Sequence, residues 1–511
     1  MTCVTASAVR SLLRSLPIVL VLSGCAVGPD FKPPAAPTTD GYTAEKLPAA
    51  TQATEVPGGE AQHFQFGREL PGQWWVLFGS TELNRLIEEA VTSYPGIAAQ
   101  QAALRAAREN VRAQQGVFFP QIGGDAGWTR ERSSGAAIAP GFPGFITNIY
   151  QATVNVSYAI DVFGGERRSV EGLQAQAEAR NLQLEASYLT LMANVAATAI
   201  QLASVRDQIE VTHEIIALEE KQLAVIHRQF ELGSRTQADV LQQQSNLATV
   251  RASLPALQQQ RASAEHQLAI LTGRYPRDAT PIQLQLSDLR LPQELPISIP
   301  SALVAQRPDI RLQEAALHQA CAAVGVATAN MLPQLTLTGS IGDESLRAAS
   351  LFTPNAGIWN LGSSIAQPLF EGGALRAKRR AALDAYDQAS AQYRLIVLQA
   401  FQNVADTLTA LDNDAQALNS QADAVNAAKA GLALIQRQYD AGAVDYVSLL
   451  TAEQSYNQAR IAYVRAVASR YTDTVTLFQA LGGGWWNRTD PGTLLGSVSR
   501  GASTVDFSVG H

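Results

Sequence analysis

Two periodicities divide this chain. Tyr188, Val195, Leu202, Ile209, Ile216, Leu223 and Phe230 place an apolar residue at every seventh position, and Val397, Val404, Leu411, Leu418, Val425, Leu432 and Tyr439 do the same further on. That spacing predicts helices packed along a shared seam. No proline lies between Pro143 and Pro255 or between Pro368 and Pro491, and no glycine between Gly172 and Gly233. The helices are therefore expected to be very long: roughly 65 residues at 1.5 Å each reach about 100 Å. Val240, Leu247, Leu254 and Leu268, then Leu449, Tyr456, Tyr463 and Leu477, predict returning helices, with chain reversals at Gly233 and Gly442. Pro255 is expected to kink its helix by removing one hydrogen bond.

The second periodicity is two. Ala152, Val154, Val156, Tyr158 and Ile160 alternate with Gln151, Thr153, Asn155 and Ser157, and Gln334 to Thr338 repeats the alternation. Weaker strands start at Gln121 and Gly357, and Gly/Pro/Ser-rich loops at 132–147 and 343–356 separate the partners. The length suits transmembrane strands, which need about 9–11 residues, and the pattern alone also fits a half-buried sheet. Four strands cannot close a barrel, because known membrane barrels begin at eight. An open edge in lipid leaves backbone groups unsatisfied at several kcal/mol each. In a membrane, several chains must share one barrel: two would give eight strands and three would give twelve.

Landmarks recur in one order. Tyr94-Pro95-Gly96-Ile97 aligns with Arg307-Pro308-Asp309-Ile310, Phe119-Pro120-Gln121-Ile122 with Leu332-Pro333-Gln334-Leu335, and Phe163-Gly164-Gly165 with Phe370-Glu371-Gly372-Gly373. Phe230 to Gly233 matches Tyr439 to Gly442, and Leu268 to Gly273 matches Leu477 to Gly482. Two tandem repeats follow, 92–273 and 305–482, each a helix, a β-hairpin and a long helical hairpin. A Pro-rich linker, 274–304, joins them. A segment at 25–91 precedes them and a tail at 483–511 follows.

Composition narrows the class. Net charge is −7, and charged residues make up only 16%, so the basic footprint of a nucleic-acid binder is missing. Three cysteines and six histidines fit neither a disulfide scaffold nor a Cys-rich zinc protein. Beyond the first two dozen residues no run of ~18 apolar residues occurs, so no transmembrane helix is expected. At the start, Arg10 and Arg14 precede the short apolar run Leu16–Leu22, as in a secretory signal spanning 1–24. Leu22-Ser23-Gly24-Cys25 matches a bacterial lipobox, which makes Cys25 the lipidated first residue of the mature chain. Ala26, in place of an aspartate, points to the outer membrane. Cys321 reads as a small core residue.

Cys25-Ala26-Val27-Gly28-Pro29-Asp30-Phe31-Lys32-Pro33-Pro34 resembles the mature start of the outer-membrane factor lipoproteins. Trp74-Trp75-Val76-Leu77-Phe78 with Leu83-Asn84-Arg85-Leu86-Ile87 resembles their first helix signature, and Gln306-Arg307-Pro308-Asp309-Ile310 and Asp161-Val162-Phe163-Gly164-Gly165 are further matches. Gly79-Ser80-Thr81 and Tyr94-Pro95 depart from the usual pattern at positions that touch packing. The resemblance covers nearly the whole chain and is to the NodT/TolC-like subfamily serving resistance–nodulation–division efflux pumps. It implies an α+β membrane protein: a homotrimeric tube with a shared twelve-stranded β-barrel in the outer membrane and a long coiled-coil-like α-helical barrel in the periplasm. A mixed α/β belt would lie midway, where the flanking segments and the linker would fit. It further implies a passive exit duct of a tripartite pump, coupled to a periplasmic adaptor and an inner-membrane transporter, with no catalysis and no cofactor beyond the lipid on Cys25. A periplasmic adaptor or scaffold lipoprotein, and the exit duct of a protein secretion system, stand as alternatives.

Candidate sites follow from this outline. The turns Gly233, Ser234, Arg235 and Gly442, Ala443, Val444 are the expected adaptor-facing tips. Asp423, Lys429, Gln436, Arg437 and Asp440 dot the second long helix away from its seam and are candidates for a gate; solvated outer-face residues are the alternative reading. No catalytic constellation is visible. Gly482-Gly483-Gly484 lacks the Lys-Ser/Thr of a phosphate loop, and His213 and His227 have no second pair to complete a metal site. Gln242–Gln244 and Gln258–Gln260 read as uncharged helix surface. Arg376, Lys378, Arg379 and Arg380 read as a solvated helix start near the inner headgroups.

Overall fold

The computed structural model describes residues 26–39, 41–45, 48–135 and 140–488. Cys25, the signal segment and most of the tail lie outside them. The elements run β1 (His63–Phe66), α1 (Thr81–Ser93), α2 (Pro95–Gln115), β2 (Gln121–Ser133), β3 (Phe145–Ile160), α3 (Gly165–Glu231), α4 (Gln237–Leu271), β4 (Glu294–Ile297), α5 (Pro300–Gln306), α6 (Pro308–Ala329), β5 (Gln334–Ser345), β6 (Gly357–Ala366), α7 (Ala374–Asp440) and α8 (Tyr446–Ala480). The long helices match in length, 67 residues for α3 and α7 and 35 for α4 and α8. Two compact units cut across the sequence repeats, each drawing on both.

The first unit comprises 1–34, 103–181 and 312–394. It holds the antiparallel sheet β2-β3-β5-β6. Register aligns like with like. Val154 faces Ile341, which faces Trp359; Ile160 faces Leu335, which faces Ile365; Ile122 faces Val156. Directly opposed residues share a face, so in these rows one face is apolar. The other carries Asp125, Asn155, Thr153, Ser340 and Asn360, with Asn155 Nδ2 donating to Asp125 Oδ2 at 2.5 Å. Large residues on the apolar face stand open: Ile341 is 67% exposed, Trp359 79% and Leu361 81%.

A strap, Ala26–Pro34, lies on this unit. Val27 N donates to the Phe163 carbonyl at 2.9 Å. The buried Arg168 donates to Asp30 at 2.6 Å, to Glu171 at 2.7 Å and to the Val27 carbonyl at 3.3 Å. Phe31 stacks on His318 at 4.3 Å. Gly28 (φ 96°) crosses Gly325 so closely that a Cβ would sit 2.5 Å from the Gly325 Cα; only glycine fits. Cys321 is buried here, its thiol 3.5 Å from the Pro29 carbonyl.

The second unit comprises 35–102, 182–311 and 395–511. Its core is the upper seam: Tyr188, Val195, Leu202, Val404, Leu411 and Leu418 are at most 1% exposed. Trp74 and Phe78 pack on Phe478. Arg307 caps the end of α8, donating to the Ala480 carbonyl at 2.8 Å while pairing with Asp309 at 2.6 Å; a cation suits a helix C-terminus. β1 and β4 pair in parallel, His63 opposite Glu294.

Two expectations are corrected here. The heptad of α3 does not hold beyond Ile209: Ile215 and Ile226 are buried, whereas Phe230 is 37% exposed. Beyond Ile209 burial follows the neighbouring helices instead: Ile226 clusters with Val240, Tyr446, Leu449 and Leu450. An 18-residue window of α3 does have the hydropathy of a membrane span, a mean of 1.4, but 72% of it is buried within the protein; its apolar residues are core. Gln243, within a glutamine run read as surface, is fully buried. Pro255 lies inside α4.

Candidate functional site

The two hairpin turns are built alike. Gly233 and Gly442 take φ of 75° and 73°, a left-handed conformation that costs other residues roughly 1 kcal/mol or more. In each turn the next residue's amide closes the helix end: Ser234 N bonds the Gln229 carbonyl at 2.9 Å, and Ala443 N the Gln438 carbonyl at 2.8 Å. The returning helices are then capped by a side-chain oxygen at the expected position. Thr236 and Asp239 form a capping box on α4, and Asp445 accepts from Ser448 N on α8.

Of the six predicted tip residues, Gly233, Ser234, Gly442 and Ala443 are exposed and Val444 is half-buried. Arg235 is not free. Its guanidinium lies 4.6 Å from the centre of the Tyr439 ring, and its Nε donates to Gln229 Oε1 at 3.2 Å. It ties one hairpin to the other. Beneath it, Ile226, Val240, Tyr446, Leu449 and Leu450 form a buried cluster on which Leu223, Leu432, Ile435 and Tyr439 pack.

Among the gate candidates, Lys429, Gln436 and Asp440 fall on one stripe of α7, at intervals of seven and four. Gln436 Nε2 donates to Asp440 Oδ1 at 3.0 Å. Asp423 lies about 120° around the helix from Lys429, and Arg437 about 80°; the Arg437 Nε donates to the Ala433 carbonyl at 3.2 Å. The geometry brings three of the five together and leaves two off the stripe.

The same helical hairpins hold a polar layer that the sequence does not announce. Gln243 Nε2 donates to Glu219 Oε2 at 2.7 Å and to the Glu219 carbonyl at 3.2 Å. Its Oε1 accepts from the Tyr446 hydroxyl. Gln454 Nε2 donates to Asn246 Oδ1 at 2.8 Å. These bonds join α4 to α3 and to α8. A run of three glutamines offers no periodic signal to mark its buried member. Capping logic identifies Asp445, but nothing local tells that Tyr446 turns inward.

Glu453 belongs to this layer, and its Oε2 is buried without a partner. Burial, then the nearby Glu219, push its carboxyl up to about 7, against a hydrogen bond from Gln222. The folded chain thus holds this proton more tightly than the unfolded one. The stabilisation is fully present below the ordinary carboxylate value of 4.5 and declines as pH rises to about 7. Glu453→Gln should remove that decline. At pH 8 the variant's Tm should exceed the wild type's by about 2 °C, and at pH 4 the two should agree. Thermal unfolding across this range checks it; parallel curves would show the proton to be absent.

His213 and His227 are exposed, and His227 lies 3.3 Å from Glu231. Among the described residues no group of three metal-ligating side chains occurs.

Comparison with known proteins fits this geometry. The family model described as outer membrane efflux protein matches residues 86–274 and 299–483. The pyoverdine export outer membrane protein OpmQ of Pseudomonas aeruginosa is 30% identical over 417 residues, covering 81% of this chain and 87% of that protein. The probable outer membrane lipoprotein SilC of Salmonella typhimurium is 28% identical, covering 93% and 98%. The solved structure of the outer-membrane channel OprN superposes with a TM-score of 0.80 at 28% identity, over 90% of this chain and all of that one.

Proposed function

The chain belongs to the outer membrane efflux protein family and is the outer-membrane channel component of an efflux pump; on that premise we propose that three copies form one continuous exit duct, closed at rest near the α7 stripe and opened by an adaptor at the hairpin turns. The sheet carries the proposal. It has one apolar exposed face, one polar face and two unpaired edges, β2 and β6. In hydrocarbon those edges need partners, and joining β6 of each chain to β2 of the next yields twelve strands with the polar face around water. Each long helix begins within a few residues of a strand and ends 67 residues on at a glycine turn. On this reading the turns are the ends at which a periplasmic adaptor, and through it an inner-membrane transporter, would engage. The matching series of helix lengths supports a duplicated unit. Cys25 carries the lipid and adds an anchor to that of the barrel.

Cysteines at Ser234 and Ala443 test the orientation. Crosslinking in cells should capture a periplasmic adaptor; capture of outer-membrane proteins alone would contradict it. In the gate, three chains would set Lys429, Gln436 and Asp440 in rings around the axis. Exposed polar links of this kind contribute only ~0–1 kcal/mol each, which suits a closure that a partner can release. The Gln436→Ala/Asp440→Ala variant should conduct severalfold more than the wild type in planar bilayers without adaptor. Unchanged low conductance would remove these two residues from the constriction.

A further inference from the structure

The two strand-to-helix junctions of the chain are unlike, and the difference points to a ligand. Between β3 and α3, the strap covers the junction. Val27 bonds Phe163, and Ala26 packs against Gly164. The cations are paired: Arg167 with Asp161 at 3.4 Å, Arg168 with Asp30 and Glu171. Between β6 and α7, at Gln367–Gly373, none of the described residues covers the equivalent place. Leu369 is 92% exposed and Phe370 89%. Arg376, Lys378, Arg379 and Arg380 follow, all exposed. Among the described residues none of the four pairs with a carboxylate, and the first turn of α7 contains no acidic residue. Among the described residues their one side-chain bond runs from Arg379 Nε to Thr328 Oγ1 at 3.3 Å. Arg376, Arg379 and Arg380 share one helix face.

We propose that this junction binds an anionic glycerophospholipid of the inner leaflet, with Leu369 and Phe370 set at the acyl boundary and Arg376, Arg379 and Arg380, aided by Lys378, holding the headgroup phosphate. The inference rests on reading the sheet as membrane-spanning. That reading sets the depth. β6 ends at Ala366 just after Ile365, which is 73% exposed on the apolar face. An exposed apolar and aromatic pair three residues further suits the membrane interface. The cations lie within two helical turns of it, at headgroup level. Four unpaired cations in one short stretch attract anionic lipid strongly, and guanidinium groups recognise phosphate in a two-pronged fashion. The strap is no rival occupant, since it already covers the first junction. Acidic residues of a neighbouring copy are the competing source of charge.

The test uses full-length protein, delipidated in detergent, offered phosphatidylglycerol and phosphatidylcholine in equal amounts, with retained lipid counted by native mass spectrometry. The wild type should retain phosphatidylglycerol at least about tenfold over phosphatidylcholine. Arg376→Gln/Lys378→Gln/Arg379→Gln/Arg380→Gln should bring the ratio within about twofold, and Arg376→Lys/Arg379→Lys/Arg380→Lys, which keeps the charge, should hold most of it. The inference is overturned if the glutamine variant keeps the wild-type ratio, or if the lysine variant loses it as fully as the glutamine variant does. It is likewise overturned if Phe370→Cys crosslinks to a second copy in phosphatidylglycerol vesicles, which would show the junction covered by protein. Wild-type conductance in planar bilayers separates the two readings. Conductance with no lipid preference overturns this inference alone, and a wild type that never enters a bilayer overturns the duct and the lipid site together.

Discussion

Leu361→Arg should keep the protein out of the outer membrane. Leu361 sits in β6 opposite Gly339, 81% exposed on the apolar face. If that face meets hydrocarbon, an arginine near mid-depth costs about 2–4 kcal/mol per copy, and a three-fold barrel would bear the cost three times. Outer-membrane fractions should hold at least about tenfold less of the variant, the equivalent of 1.4 kcal/mol. Asn360→Arg, one residue away on the polar face, should insert normally. Equal loss in both would mean that the two faces do not differ in their surroundings.

Arg470→Ala should be the most destabilising single change in the second unit. The Arg470 side chain is fully buried in α8. It donates to the carbonyls of Gly58 at 2.8 Å and Glu60 at 3.0 Å, and to Gln62 Oε1 and Thr51 Oγ1, both at 3.2 Å. Gln62 in turn donates to Thr474 Oγ1 at 3.0 Å and to the Pro292 carbonyl at 3.1 Å. Truncation strands several buried acceptors, at about 1–3 kcal/mol each before relaxation. A total of about 3 kcal/mol should lower Tm by about 3 °C. Arg470→Lys should recover less than half, since an ammonium cannot reproduce the planar fork. Thermal unfolding measures both; a Tm within about 1 °C of the wild type would mean that the network holds without its cation.

The architecture was legible where residues repeat a period long enough to be unambiguous. The alternation from Ala152 to Ile160 marks β3, and the spacing from Tyr188 to Phe230 marks α3, because burial of one face leaves that trace. Glycines at 233 and 442 mark the turns because only they take the required φ cheaply. What was illegible depends on partners distant in sequence. β1 and β4 are four residues each, too short to show a period, and pair across more than 200 positions. The burial of Gln243 is set by Glu219 and Tyr446, on two other helices. Arg235 reads as a free tip cation until Tyr439 is seen beneath it. The seam of α3 leaves a strict seven-residue count beyond Ile209 because burial there is set by residues of other helices, as where Ile226 packs with Val240 and Tyr446.

The central claim is that β6 of one chain joins β2 of the next, three times around. Disulfide trapping in isolated outer membranes tests it most directly. In a Cys321→Ser background, each of Gly123, Asp125 and Gly127 in β2 would be replaced by cysteine together with each of Asn360, Gly362 and Ser364 in β6, all on the polar face. At the correct register, oxidation should yield a covalent trimer and nothing larger. Monomers alone from every pair, or a ladder extending past three chains, would contradict the shared barrel.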